Sequence, residues 1–380
     1  MKKSMELYVH IPFCRKKCGY CDFLSFSAEQ DVQKRYVEKL LEEIREAGET
    51  DGHAPVSSIF IGGGTPSILE AGLTGRIMKQ IKESFHPEPD AEISMEANPG
   101  TVTEEKLSEY RDAGINRLSF GLQSADDREL RELGRIHTFG QFLESFRMAR
   151  ECGFDNLNVD LMSALPGQTA ASWEDTLKKT AELGPEHISA YSLIIEEGTP
   201  FYGKYGNPEG KKLLPDEDTE RDMYHRTGEI LKEFGYERYE ISNYAKPGRE
   251  CRHNTGYWTG VPYLGLGLGA ASFLEGRRFS NPLSMEEYLG QDPSLWERDV
   301  QILEEKDLQA EFFFLGLRLV QGVSLKEFER RFHVTAESVY PGLMERCVKE
   351  KTAVLEGDRF RLTDLGLDVS NYVMAQFLQD

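Results

Sequence analysis

Short apolar runs alternate with long charged stretches through the first half of the chain. The apolar runs fall at 7–10, 56–61, 92–96, 117–121, 156–162 and 187–193, each of strand length and bounded by turn-forming residues. Between them, apolar positions recur at helical spacing over 31–48, 68–85, 103–113, 139–152 and 173–183, which predicts amphipathic helices. Gly48, Gly114, Gly153 and Gly184 fall near the points where those helices must stop, as left-handed C-caps do. Repeated strand–helix alternation reads as parallel βα units. A partial or full (β/α) barrel fits this α/β pattern best, with active residues at the C-terminal ends of the strands.

The rhythm changes after Pro200. Residues 202–216, rich in Gly, Pro, Tyr and Lys, read as a loop. A helix over 218–235, a strand-like 239–242, an aromatic segment at 251–258 and a glycine-rich 264–271 follow. From Glu304 the pattern is mostly helical, with a short hairpin over 354–362 turning at Gly357-Asp358. Three domains are expected: a barrel over 1–205, an extension over 206–298, and a mostly helical C-terminal domain over 299–380.

Length and charge narrow the function. At 380 residues the chain can hold one barrel-sized domain and a smaller one. Its 45 Lys and Arg stand against 65 Asp and Glu, a net charge of −20, which argues against a phosphate backbone as partner, so no nucleic acid is expected. No apolar run is long enough to span a bilayer. The N-terminus passes at once into an apolar strand, with neither secretory nor transit character, so the cytoplasm is the expected address. Six cysteines do not make a disulfide framework here, and three crowd into the first twenty-one residues. Clustered cytosolic cysteines point to metal.

Those three are Cys14, Cys18 and Cys21, in Tyr8-Val9-His10-Ile11-Pro12-Phe13-Cys14-Arg15-Lys16-Lys17-Cys18-Gly19-Tyr20-Cys21. The C-x₃-C-x₂-C spacing offers three thiolates from one tight loop to a [4Fe–4S] cluster and leaves the fourth iron open for a chelating small molecule. The loop directly follows the first predicted strand, and Phe13, Tyr20 and Phe23 can shield a cluster from water. Structural zinc is the competing reading; it prefers four ligands, and only His10 is at hand as a fourth. Further on, Gly62–Pro66 follows an apolar strand, where glycines let backbone approach a ligand closely. A phosphate loop lacks its Gly-Lys-Ser/Thr ending here, and a plain tight turn is the simpler alternative. Glu96 ends the third strand and Asp160 lies in the fifth. A carboxylate there needs a partner, either a ligand ammonium or hydroxyl or a salt bridge to a neighbouring helix.

Together these segments resemble the radical S-adenosylmethionine (SAM) superfamily, specifically its coproporphyrinogen-oxidase-like branch. The resemblance runs in order through Gly62-Gly63-Gly64-Thr65-Pro66, Ser94-Met95-Glu96-Ala97-Asn98-Pro99, Ser119-Phe120-Gly121-Leu122-Gln123-Ser124 and Asp160–Thr169. It continues through His253-Asn254-Thr255-Gly256-Tyr257-Trp258 and Gly265–Ser272. It implies a partial (β/α) barrel of the radical SAM type and SAM as cofactor. Gly63, Gly64 and Thr65 are then expected at the SAM amino group. Glu96 and Asp160 would face the cofactor, Tyr8 and Tyr20 would lie near the cluster, and Gln123, Arg135 and the Ala271 backbone would touch SAM. Arg135 reads equally well as a solvated helix residue.

The branch holds an enzyme, oxygen-independent coproporphyrinogen III oxidase, which uses a 5′-deoxyadenosyl radical to decarboxylate two propionates, and a haem chaperone, which hands haem to apo-proteins. The oxidase pattern has a further cysteine two residues after the third ligand, where this chain has Phe23; it also has an N-terminal arm, expected to be missing here because the sequence starts only seven residues before Tyr8. His-Asn-x-x-Tyr-Trp at 253–258 resembles the chaperone signature. The expectation is therefore a chaperone without coproporphyrinogen oxidase activity, carrying haem as cargo with His253 as axial ligand and Cys251 as the alternative. On residue type alone, His253 is a histidine packed in an aromatic core. An apo-haemoprotein recipient, respiratory by resemblance, would bring the chain at most to peripheral contact with the inner face of the membrane; a homodimer is compatible with the reading.

Overall fold

The computed structural model describes residues 4–378; the N-terminal reading at 1–3 lies outside them. Six parallel strands carry the fold: β1 (Met5–Ile11), β2 (Pro55–Gly63), β3 (His86–Ala97), β4 (Arg117–Gln123), β5 (Leu157–Ser163) and β6 (His187–Ser192). They sit side by side in chain order. The crossover helices are α1 (Gln30–Asp51), α2 (Leu73–Ser84), α3 (Glu104–Asp112), α4 (Asp127–Leu133), α5 (Phe139–Glu151) and α6 (Ala170–Glu182).

Period-2 alternation makes the two faces of this sheet unlike. Leu7, Val9, Ile59, Ile61, Met95, Leu118, Phe120, Val159 and Leu161 are buried in the main core, which the helices share. The other set is polar yet also buried: Glu6, Ser58, Glu92, Ser94, Arg117, Ser119, Asn158 and His187. Its members bond to one another; the Asn158 amide donates to Ser119 Oγ at 2.7 Å, and His187 Nδ1 lies 2.5 Å from Asn158 Oδ1. The result is a barrel with a polar interior that must satisfy its own hydrogen bonds.

Residues beyond Pro200 extend the sheet at both edges. The stretch expected as a loop contains two short helices, α7 (Pro200–Tyr205) and α8 (Pro208–Lys211). Each starts on proline behind a capping side chain, Thr199 and Asn207, the arrangement that starts helices even in loop-like composition. After α9 (Glu217–Glu233), the strand expected at 239–242 is instead the turn between β7 (Glu237–Arg238) and β8 (Asn243–Ala245), which pairs antiparallel with β6. The aromatic segment is a helix, α10 (Arg252–Thr259). The glycine-rich text opens with β9 (Tyr263–Leu266), parallel to β1, and turns into β10 (Ala271–Leu274) through Gly267 and Gly269 at positive φ. After β11 (Arg277–Ser280) and α11 (Met285–Gly290), the edge is β12 (Arg298–Ile302), where Asp299 adopts φ 51 and Val300 and Ile302 are exposed. The end strands β12 and β7 do not pair, so the barrel is partial.

The C-terminal part has its own apolar cluster around Phe313, Phe328, Phe360 and Phe377. It is mostly helical, led by α12 (Glu305–Gly316) and α13 (Leu325–Phe332). Its three-stranded sheet, ordered β13-β15-β14, consists of β13 (Val323–Ser324), β14 (Ala353–Glu356) and β15 (Arg359–Leu362). The expected hairpin turns at Gly357, φ 66.

Gly114, Gly153 and Gly184 take the positive φ expected of helix stops, but Gly48 does not. Helix α1 runs on to Asp51, and Gly48 is where it presses on the end of α2. A Cβ there would lie 2.5 Å from Ser84 Cβ and 2.8 Å from Ser84 O. At an exposed mid-helix site Gly→Ala is expected to stabilise by about 1 kcal/mol. Gly48→Ala is expected to do the reverse, lowering stability by about 1–3 kcal/mol through overpacking, as measured by chemical denaturation.

Candidate cofactor site at the mouth of the barrel

The C-terminal strand ends form the mouth, and the cysteine loop is pinned across it by backbone bonds. The Gly64 and Thr65 amides donate to Ile11 O (2.8 Å) and Phe13 O (2.7 Å), fixing the loop's start to the turn after β2. The Cys14 amide donates to Phe26 O and the Phe26 amide to Pro12 O, both at 2.9 Å, closing the loop on itself. At its far side the Gly19 amide donates to Leu133 O, and Gly19 O accepts from Phe201 N at 2.9 Å. His10 supports it from below, Nε2 lying 2.9 Å from Leu24 O.

Cys14, Cys18 and Cys21 are half-buried and line one cavity of about 140 Å³ together with Tyr20, Gly63, Gly64, Thr65, Glu96, Gln123, Arg135 and Asp160. The structure thus brings together the three thiols and eight of the eleven other expected site residues. Cys14 Sγ lies 3.5 Å from Thr65 Oγ1, and burial pushes the Cys21 thiol up. Of the expected shields, Tyr20 lines the cavity and packs edge-on to Phe201. Phe23 lines it too but is 68 % exposed, and Phe13 turns away into the core against Tyr36.

The glycines matter because backbone and side chains crowd them. Gly63 adopts φ 108, and a Cβ there would lie 2.5 Å from the His10 ring; one on Gly64 would lie 2.7 Å from Phe13 O. Gly63 N donates to Glu96 Oε2 at 3.1 Å. Burial, reinforced by the nearby Asp160 carboxylate, raises the Glu96 pKa to about 8. Burial also raises Asp160, against hydrogen bonds from Asn158 (2.7 Å) and Ser119 (3.0 Å). A cavity walled by two carboxylates that burial disfavours is suited to a cation with hydroxyl donors.

Arg135 is no solvated helix residue. Its Nη2 donates to Asn98 Oδ1 at 2.6 Å and to Gly121 O at 2.5 Å, and its Nη1 lies 3.7 Å from Cys18 Sγ. Gln123 takes φ 74 at a register shift in β4 and accepts from the Tyr191 hydroxyl at 3.0 Å. Left-handed backbone at a residue with a side chain is strained, and such strain concentrates at functional sites. Asn98, Ser119 and Tyr191 also line the cavity, a role the sequence reading did not assign. The signal was there: all three are polar, Asn98 and Tyr191 stand at C-terminal ends of strands, and Asn98 and Ser119 stand inside the resembling segments.

Three expected residues lie elsewhere. Tyr8 sits deeper in the barrel, its hydroxyl 3.0 Å from His10 Nδ1. Ala271 is exposed at the start of β10, paired with Ser280, and does not line the cavity. His253 corrects the axial-ligand expectation. It lies toward the N-terminal ends of the strands, 1 % exposed, with Nδ1 2.8 Å from Ser58 Oγ and Nε2 3.1 Å from Tyr257 Oη. Its ring stacks on Phe60, and burial with the Arg117 charge lowers its pKa to about 3. Both nitrogens are engaged, so neither offers a free lone pair to iron. Cys251 is equally enclosed: its thiol donates to Glu92 Oε1 at 3.3 Å, and burial pushes it up to about 12.

Comparison with known proteins bears on the family. Residues 8–180 match the radical SAM superfamily, and residues 303–369 match the HemN C-terminal domain. The chain is 35% identical to the heme chaperone HemW of Lactococcus lactis, covering 100% of this chain and 99% of that protein. It is 34% identical to the heme chaperone HemW of Bacillus subtilis, covering 98% of each, and 34% identical to that of Escherichia coli, covering 99% and 98%. Among solved structures, the fold is shared with coproporphyrinogen III oxidase (HemN) from Escherichia coli, at TM-score 0.87 and 24% identity over 100% of this chain and 91% of that one. By its full-length likeness to those chaperones, the chain belongs to the HemW family within the radical SAM superfamily.

Proposed function

We propose that this protein is a haem chaperone: it holds a [4Fe–4S] cluster through Cys14, Cys18 and Cys21, binds SAM beside it, and carries haem to apo-haemoproteins in the cytoplasm. The observation that carries the reading is the end-to-end likeness to heme chaperones named HemW. The donor set fits the cluster. Three half-buried thiols line one cavity, and a cubane asks that each thiolate reach a different iron. A bound cluster supplies one-electron chemistry to SAM.

The residues around the thiols have assignable tasks. Glu96 and Asp160 receive the positive charge and hydroxyls of SAM, relieving two buried carboxylates of their desolvation. The Gly63–Thr65 backbone takes its amino group, Gln123 and Arg135 hold its edges, and Tyr20 keeps water from the thiols.

Two outcomes are expected. First, because a cation favours ionised Glu96, SAM binding should release a proton below pH 8, and affinity should rise as pH increases from about 6 to 8. Glu96→Gln should remove that pH dependence and weaken binding about tenfold at pH 8; calorimetry in buffers of different ionisation enthalpy reads both. Second, anaerobic reconstitution should give about four irons per chain, abolished when Cys14, Cys18 and Cys21 are all changed to serine. The loaded protein should bind haem saturably and pass it to apomyoglobin, while coproporphyrinogen III with SAM and reductant should yield no protoporphyrinogen. Protoporphyrinogen formation would replace the chaperone with the oxidase.

A further inference from the structure

Between the barrel's base and the C-terminal sheet lies a second cavity, of about 430 Å³, in the range of small-molecule sites. It is separate from the cysteine cavity and shares no residue with it. Helix α10 supplies Tyr257 and Trp258, strands β9 and β10 supply Tyr263 and Phe273, and α12 supplies Phe312 and Leu315. Tyr257 and Tyr263 meet edge to face with centroids 4.7 Å apart, so one wall is a continuous aromatic surface.

The polar groups around it are unevenly matched. Arg278, Arg331 and Arg359 line the cavity with Glu311 and Glu327. Both acids are already committed. Glu311 takes a two-pronged bond from Arg278 at 2.6 and 3.1 Å, and Glu327 takes one from Arg330 at 2.7 and 2.5 Å. Arg359 makes a single long bond, 3.4 Å, to Gly322 O. Arg331, half-buried, makes neither an ion pair nor a hydrogen bond among the described residues. Glu327 and Glu311 act on the Arg331 charge from a distance, without a direct ion pair, and Arg is the side chain best shaped to take a carboxylate in two bonds. An apolar cavity edged by Arg331 and Arg359, neither in a direct ion pair among the described residues, is complementary to a flat apolar molecule bearing carboxylates at one edge.

We propose that this cavity is the haem site, the macrocycle against Tyr257, Trp258 and Phe273 and the propionates on Arg331 and Arg359; the proposal rests on the chaperone reading above. It divides the 253–258 segment between two tasks. Tyr257 and Trp258 face the cargo, and His253, which does not line the cavity, is a positioning residue that holds the Tyr257 hydroxyl from behind at 3.1 Å.

Haem and haem dimethyl ester, titrated by the Soret band into the reconstituted full chain, test it. Wild type should bind haem about tenfold more tightly than the ester. Arg331→Ala should lose about tenfold for haem yet bind the ester as wild type does, because the lost charge and the masked carboxylate are one interaction. Arg331→Lys should recover part of the loss. Leu315→Trp, filling the cavity from a half-buried position, should block both ligands while iron content and unfolding midpoint stay at the wild-type values. Unchanged haem affinity in Arg331→Ala and Leu315→Trp, with wild type binding haem, overturns the site and leaves the chaperone reading standing. No haem binding by wild type overturns both.

Discussion

One guanidinium organises the interior of the barrel. Arg117 is 2 % exposed, on a strand face where the neighbouring strands contribute Glu92, Ser94, Asp160 and His187. Its charge is offset by the Glu92 and Asp160 carboxylates, with Cys251 and Tyr239 beside it, and its Nη1 donates to Ser94 Oγ at 3.4 Å. The same charge helps to hold His187 and His253 neutral. Neutral imidazoles can accept as well as donate, which allows the bonds from His187 to Asn158 and Tyr239 and from His253 to Ser58 and Tyr257. Glu92, drawn to Arg117, then accepts from the Cys251 thiol and the Arg252 amide, and that is what seats α10 under the strands. A buried charge thus decides where the helix with the aromatic residues lies.

The two ends of the barrel are consequently specialised by different physics. At the mouth, backbone amides and carbonyls hold a loop in place, and paired carboxylates set the charge. At the base, side chains do the holding, and the surface left over is aromatic and basic. The polar inward face runs between them, so residues such as Tyr8 belong to the connection rather than to either site.

How much of this could be read from the letters differs by scale. The six strands follow from apolar spacing, because helices cover the outer face and every second residue must be apolar. The cysteine loop, Gly63–Thr65, Glu96, Gln123 and Asp160 were legible because a motif at the end of a strand can only stand at the mouth. Where the helix carrying His253 lies was not legible. Motif spacing along the chain does not say at which end of the barrel a later helix returns, and Arg117, which settles it, is far away in sequence. Gly48 was misread because a glycine needed for close approach of two helices looks the same as one needed for a left-handed turn. The helices inside 200–211 were hidden by composition, their caps outweighing the loop-like residues around them.

The edge strand β12 carries a consequence of another kind. An open edge with Val300 and Ile302 exposed is a template onto which a second chain can add. Asp299, held at φ 51, breaks the regular pleat at the second residue of the strand and places a charge there. What remains is three residues of extended backbone, shorter than the six or seven that amyloid-like stacking uses. One strained aspartate at the rim therefore shortens the stretch of open edge that a second chain could pair with.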